Sequence, residues 1–126
     1  MLKDVSSGAI EGVIALGGVT AEDAATLAPL RSLKAMVTLA SNVGPLVDVA
    51  SVVVPVASFA EMDGTFINVK GMAQRFFRVI FPPAGIRPAW ETLVHLARVM
   101  NKPLSVSQIA DVRNTIPADA PSEATP

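Results

Sequence analysis

The 126-residue sequence contains no cysteine. This absence excludes disulfide bonds, thiolate zinc sites, iron–sulfur ligation and cysteine nucleophiles within these residues. His95 is the only histidine, so the sequence offers no set of metal ligands and no orienting partner for a catalytic group. We expect no metal site and no catalytic residue, and we interpret His95 as forming a local helical pair with Glu91, four residues earlier.

Charged residues and long apolar runs are also scarce. Charged residues make up 17% of the chain and the formal net charge is −1, whereas about 25% of a typical soluble domain is charged. The chain has no basic stripe that would suit nucleic acid. Its longest apolar run, Val52–Ala57, is far shorter than the roughly 20 residues of a membrane-spanning helix. We therefore expect neither nucleic-acid binding nor direct membrane insertion.

Three short apolar runs predict a buried parallel sheet. They are rich in branched residues and end at glycine, serine or proline: Ile10–Leu16, Lys34–Ala40 and Val52–Val54. A helix capped by Thr20 separates the first two runs, and a short helical segment, Leu46–Ala50, precedes the third. This alternation predicts an α/β fold of the small three-layer, Rossmann-like kind, with the order of the strands left open.

The second half of the chain predicts a helical extension of the same domain, which we expect to cover residues 1–116. The apolar residues within 58–75 recur with neither a helical nor a strand period, which predicts a long ordered loop. A helix is expected at about 88–100, with an apolar stripe that begins at Trp90. A second is expected at about 106–116, opened by Ser105 and Gln108. The Pro- and Ala-rich residues 117–126 predict a disordered tail.

Partial motifs for chemistry each have a simpler structural interpretation. Gly17-Gly18 lacks the third glycine of a dinucleotide-binding loop, so we favour a strand-to-helix turn over a free-standing nucleotide-binding module. Glu61 and Asp63 are spaced for acid–base work, but Asp63-Gly64 is typical of a turn. Arg75 and Arg78 flank two phenylalanines, and a solvated basic edge or a partner contact is the favoured interpretation.

One stretch of the chain resembles a known family. Residues 52–74 read VVVPVASFAEMDGTFINVKGMAQ and are similar to the segment that molybdopterin oxidoreductases carry as DVVLPAASFAEKDGTFTNTEGRVQ. Residues 82–91, PPAGIRPAWE, fit the Pro- and Gly-containing link that leads to a Trp-bearing helix in that family. The resemblance extends over roughly residues 10–101 and is most specific in the segment at 58–74.

Within that family the resemblance is greatest to the C-terminal part of the large iron–sulfur subunit of NADH:quinone oxidoreductase, respiratory complex I. It implies a non-catalytic structural and interaction domain with no cofactor of its own, because the iron–sulfur clusters of such subunits are bound elsewhere by cysteine domains. The implied partners are the rest of the same subunit and other peripheral-arm subunits of complex I. The implied location is the cytoplasmic side of the inner membrane, as part of a membrane-bound complex.

The chain departs from the family pattern where that pattern carries charge. Ser51 and Ala89 replace aspartates, while Lys70 and Met72 replace the acid and the guanidinium of the Glu-Gly-Arg motif. The alternative is a cofactor-contacting fragment of an active molybdopterin enzyme, such as a formate dehydrogenase-like oxidoreductase. Its candidates for cofactor binding would be the polar and glycine positions that the chain keeps: Asp63, Gly64, Thr65, Asn68, Gly71 and Gln74.

The same segment is rich in phenylalanine. Phe59, Phe66, Phe76 and Phe77 lie near Arg75 and Arg78, a combination enriched at the centres of protein interfaces. We expect this end of the molecule to be a docking face, and we expect self-association when the chain is isolated. Full burial of all four phenylalanines, together with coverage of both sheet edges by the chain's own helices or loops, would contradict this hypothesis.

Overall fold

The computed structural model describes residues 2–17 and 27–116. The chain divides between Val56 and Ala57 into two compact units, each of which is treated separately below. The predicted helix capped by Thr20 and the predicted disordered tail at 117–126 lie outside the described residues. The expectation that residues 1–116 form one domain stays a prediction.

The first unit contains a three-stranded parallel sheet. Its described elements are α1 (Leu2–Ser6), β1 (Gly12–Leu16), a 3-10 helix (Ala28–Ser32), β2 (Ala35–Ala40), α2 (Pro45–Val49) and β3 (Val52–Pro55). The strand order is β1-β2-β3, and both pairings are parallel. This confirms the α/β fold class, and it places β2 in the centre, which the sequence had left open.

One face of this sheet carries the core of the unit. Met36 and Thr38 are both fully buried, because neighbouring helical segments cover their face of β2. Met36 packs with Leu30 of the 3-10 helix and Leu46 of α2. Partly buried side chains pack against this cluster: Leu2, Ala15, Leu27, Leu33 and Val49. The hydroxyl of Thr38 donates to the carbonyl of Leu46 at 3.5 Å, so the buried polar group is satisfied.

The other face of the sheet is apolar but partly uncovered. The strand register places Ile14, Val37 and Val52 side by side on this face, because paired residues of adjacent strands point to the same side. Leu39 at its centre is fully buried, but Ile14 is 48% exposed and Val52 is 52% exposed. Parallel sheets are normally covered on both faces. Among the described residues of the unit, the outer strands β1 and β3 therefore leave apolar side chains of this face exposed.

The second unit contains an antiparallel hairpin where the sequence predicted a loop. Its described elements are a 3-10 helix (Phe59–Glu61), β4 (Gly64–Ile67), β5 (Ala73–Phe76), α3 (Ala89–Val99) and α4 (Ile109–Arg113). β4 and β5 pair from Gly64–Phe76 to Ile67–Ala73. The loop prediction for 58–75 was wrong because strands of four residues are too short to show a clear alternation of apolar and polar residues.

The long helix of this unit ends at a recognisable cap. At the end of α3, Asn101 has a positive φ of 57°. Its N–H donates to the carbonyl of Arg98, and the N–H of Lys102 donates to that of Ala97, the pattern of a Schellman motif. The helix predicted at 88–100 therefore agrees closely with the structure. No helix in the described residues is long and apolar enough to cross a membrane.

The last helix is shorter than predicted. We expected it at 106–116 with a cap at Ser105, but α4 spans only Ile109–Arg113. The cap lies further along the chain, because the carboxylate of Asp111 accepts hydrogen bonds from the backbone N–H groups of Ser107 and Gln108, at 2.8 and 3.0 Å. These bonds hold the residues before Ile109 in an extended conformation and delay the start of the helix.

Candidate functional site

The tip of the β4–β5 hairpin is built around one asparagine. The side-chain oxygen of Asn68 accepts hydrogen bonds from the backbone N–H groups of Lys70 and Met72, at 2.9 and 3.0 Å. Gly71 has φ of 82°, a left-handed conformation that glycine adopts without strain. Asn68 and Gly71, two of the six retained family positions, therefore form the turn itself.

Two carboxylates fasten the base of the hairpin. One oxygen of Glu61 accepts from both the N–H and the hydroxyl of Ser58, at 2.8 and 2.9 Å, which caps the short 3-10 helix. Asp63 accepts from the backbone N–H of Arg78 at 2.8 Å. The predicted Asp63-Gly64 turn was wrong, since Gly64 begins β4 and Asp63 instead ties β4 to the residues that follow β5. Both carboxylates thus have structural hydrogen bonds that a catalytic role would have to displace.

An aromatic cluster covers one face of the hairpin. The rings of Phe66 and Phe76 are stacked with centroids 4.5 Å apart, and Phe59 contacts Phe66 with centroids 6.3 Å apart. A Cβ atom added at Gly64 would overlap the ring of Phe76. Glycine is therefore required at this position for packing, because the ring of Phe76 lies directly against the Gly64 backbone.

The six candidates for cofactor binding are spread along the hairpin. Asp63 lies at the base, Gly64 and Thr65 lie in β4, Asn68 and Gly71 form the tip, and Gln74 lies in β5. Asn68 follows Asp63 by five positions of extended chain, about 16 Å at roughly 3.3 Å per residue. The hairpin does not gather the six around one point. The prediction that they hold no cofactor stays a prediction.

His95 lies on the exposed side of α3. The predicted pair with Glu91 was wrong, since no ion pair joins the two side chains, although both are described. Helical spacing of four residues brings side chains near one another, but a pair with an exposed member such as His95 gains too little to be held together. Within residues 2–17 and 27–116, no three metal-ligating side chains come together.

A pocket of about 400 Å³ opens beside the hairpin base in the second unit. Trp90 and Glu91 of α3 line it together with Arg78 and Arg87, and the remaining lining residues are Glu61, Met62, Asp63, Pro82, Ile86, Pro88, Gln108 and Ile109. Arg78 stacks over the ring of Phe81, 4.2 Å from its centroid. The lining therefore combines an indole, two guanidinium groups and three carboxylates, and Asp63 is the only one of the six candidates that reaches it.

Sequence reasoning missed a half-buried arginine that ties α4 to the hairpin. Arg113 of α4 donates to the carbonyl of Gly64 at 3.4 Å, 49 residues away in sequence. Its Nε atom and the hydroxyl of Thr65 are buried without a hydrogen-bond partner among the described residues. No local pattern signals this contact, because Arg113 stands in the last turn of a helix, where a basic residue is ordinary.

Ser51, one of the departures from the family pattern, has a clear structural role in the first unit. Its hydroxyl accepts from the backbone N–H of Met36 at 3.1 Å, and its own N–H donates to the carbonyl of Met36 at 2.8 Å. Ser51 thus extends the pairing of β2 and β3 by one residue. The Ser51 side chain therefore bonds to the backbone of β2.

Comparison with known proteins assigns most of the chain to one family. The model of the family described as "Molybdopterin oxidoreductase" matches residues 1–99. This match covers both the parallel sheet of the first unit and the hairpin and α3 of the second.

Several curated proteins are similar to the chain, among them four that are named as the G subunit of NADH-quinone oxidoreductase. The protein of Shewanella oneidensis is 38% identical over 82 residues, 60% of this chain. That of Pseudomonas putida is 35% identical over 100 residues, 75% of this chain, and that of Pseudomonas fluorescens is 30% identical over 129 aligned positions, 95% of this chain. The chain spans only 9%, 11% and 14% of these relatives' lengths, respectively.

Proposed function

Because the chain belongs to the molybdopterin oxidoreductase family, we propose that it is a non-catalytic structural and interaction domain within the large iron–sulfur subunit of an NADH:quinone oxidoreductase. The longer protein would take part in electron transfer from NADH to quinone. These residues would hold no cofactor, and the iron–sulfur clusters would be bound elsewhere in that protein. The names of the relatives support a place in this kind of subunit.

The observation that carries the proposal is the amount of apolar surface that the chain leaves uncovered. Sixteen large hydrophobic side chains are exposed among the described residues, although charged residues make up only 17% of the sequence. Many of them lie in the hairpin region, and others lie on one face of the parallel sheet. Exposed apolar surface of this extent is typical of a chain that packs against other polypeptide surfaces.

The chemistry of the sequence supports the same role. Without cysteine, the chain offers no thiolate for an iron–sulfur cluster. Lys70 and Met72 stand where the family pattern has a glutamate and an arginine, and both lie in the hairpin turn, where their backbone groups bond to Asn68. The groups best suited to a polar, phosphate-bearing cofactor are therefore replaced. The partners would be the rest of the same subunit and other peripheral-arm subunits, on the cytoplasmic side of the membrane.

The alternative function is contact with a pterin cofactor in an active molybdopterin enzyme, such as a formate dehydrogenase-like oxidoreductase. The observation that supports it is that the sequence keeps Gly64, Thr65, Asn68 and Gly71 of the family pattern. Elemental analysis of the full natural protein for molybdenum and tungsten, together with fluorescence of oxidised pterin, separates the two. We expect neither metal nor pterin. Stoichiometric metal with pterin fluorescence would overturn the proposal in favour of the alternative.

A further inference from the structure

The outer edge of β5 has backbone groups that no described residue pairs with. The N–H of Asn68 donates to the carbonyl of Met72 at 3.0 Å, so these two residues form a hydrogen-bonded pair. Such pairs alternate along an antiparallel ladder. The register therefore directs the backbone of Phe76 toward β4 and the backbone groups of Ala73 and Arg75 outward. Ala73 and Arg75 have no backbone partner among the described residues, and such an edge is a template for another strand.

Exposed apolar side chains lie before and after this strand in the hairpin region. Val69 at the hairpin tip is 102% exposed, and Phe77, directly after β5, is 71% exposed. The other exposed members of the hairpin region are Phe59, Phe66, Ile67, Val79, Ile80 and Phe81. A strand added to the edge of β5 would therefore have apolar surface beside it to cover, in addition to the backbone hydrogen bonds it would gain.

The charge of the same region is positive and is not neutralised internally. Lys70, Arg75 and Arg78 are exposed, and none of them forms an ion pair within the described residues. The only carboxylates in residues 57–81, those of Glu61 and Asp63, already accept hydrogen bonds from Ser58 and from the backbone of Arg78. Charge complementarity therefore calls for a partner that supplies acidic groups.

We propose that the outer edge of β5 binds an extended strand of another polypeptide in which apolar and acidic residues alternate. The acidic side chains would meet Lys70, Arg75 and Arg78, and the apolar ones would cover the exposed phenylalanines. An anionic membrane is the weaker occupant, because hydrocarbon cannot satisfy the outward backbone groups of Ala73 and Arg75. The proposal rests on the role as an interaction domain, and it names the chemistry of the partner.

The test uses the whole chain and a defined probe, an acetylated and amidated octapeptide of alternating Glu and Val. Its lysine counterpart and vesicles of phosphatidylcholine with phosphatidylserine are the comparison ligands. Binding is measured by calorimetry, and ¹H–¹⁵N spectra locate it. We expect the acidic peptide to bind about tenfold or more tightly than the lysine peptide. The amides of Ala73 and Arg75 should shift on binding.

Two variants address the two parts of the proposal. Ala73→Pro removes one outward donor while leaving the pairing with β4 intact, which an edge strand tolerates, and Arg75→Glu reverses the charge. We expect each to weaken binding about tenfold. Arg31→Glu, at an exposed position of the first unit, changes the net charge equally and should leave binding within about twofold.

The docking proposal would be overturned if the acidic and lysine peptides bound equally well, or if vesicles bound and the acidic peptide did not. It would also be overturned if Arg31→Glu weakened binding of the acidic peptide as much as Arg75→Glu does. None of these results bears on the content of metal or pterin, so failure here is distinguishable from failure of the proposed function.

Discussion

The packing of Gly64 against Phe76 gives a sharp prediction about the hairpin. In Gly64→Ala, the new methyl group would overlap the Phe76 ring, whose Cε2 atom is 3.0 Å from the ideal Cβ position. The ring cannot move freely, since it is stacked on Phe66 at 4.5 Å. Overpacking costs about 1–3 kcal/mol, and loss of an aromatic stack costs about 0.5–1.5 kcal/mol. We therefore expect the hairpin to lose about 2 kcal/mol of stability.

The assay must report on the hairpin itself, because local opening and whole-chain unfolding can differ in free energy. Hydrogen exchange at the amides of Phe66 and Phe76, which face the partner strand, measures the opening of β4 and β5. Urea unfolding followed by circular dichroism gives the whole-chain value for comparison. We expect exchange at these amides to accelerate by roughly thirtyfold in Gly64→Ala, which corresponds to about 2 kcal/mol.

Two controls make the prediction refutable. Gly12→Ala introduces the same methyl group in β1, where its nearest neighbour is the Ala35 carbonyl oxygen at an ordinary 3.6 Å, so we expect it to be neutral or slightly stabilising. In a Phe76→Ala background the ring is absent, and Gly64→Ala should then cost almost nothing. The steric account is refuted if Gly64→Ala behaves like Gly12→Ala, or if its cost persists without the ring.

Three further predictions concern other parts of the chain. Met36→Ala, at a position 1% exposed, should cost about 2–5 kcal/mol in urea unfolding, whereas Met100→Ala, at 60% exposure, should change stability by less than about 0.5 kcal/mol. Hydrogen bonds, above all from Ser107, lower the pKa of Asp111 from 3.8. The ionised Asp111 carboxylate therefore stabilises the fold above pH 3.8, and this stabilisation is lost as the pH falls through the lowered pKa. A carboxyl titration by NMR that shows no lowering would contradict this. Asn101→Ala should cost about 1 kcal/mol because of the positive φ of 57°, while Asn101→Gly should not, as thermal unfolding of both variants will show.

The parallel sheet could be predicted from sequence because its signals are local and agree with one another. Each strand is a short branched run that a turn residue ends, and the strands observed lie within or close to the predicted runs. α3 was equally clear, since its apolar stripe and the stop at Asn101 reinforce each other. Strand order was not predictable, because both adjacent and interleaved orders satisfy the same right-handed connections.

The hairpin escaped prediction because its turn depends on a side chain. The Asn68 side chain accepts hydrogen bonds from backbone groups two and four residues later, and no two-residue turn signature marks it. The contact of Arg113 with Gly64 was likewise hidden by 49 residues of separation. The exposure of phenylalanine side chains that the docking-face hypothesis requires is present, since Phe59, Phe66 and Phe77 are 65%, 55% and 71% exposed.

Purification of the natural protein from its own cells is the most direct test of the central claim. The protein that contains these residues would be tagged at its native locus and isolated in mild detergent. Its co-purifying proteins would be quantified by mass spectrometry alongside molybdenum, tungsten and pterin. The account predicts equal amounts of the other NADH:quinone oxidoreductase subunits and neither metal nor pterin. Isolation without those subunits, carrying stoichiometric pterin and metal, would contradict it.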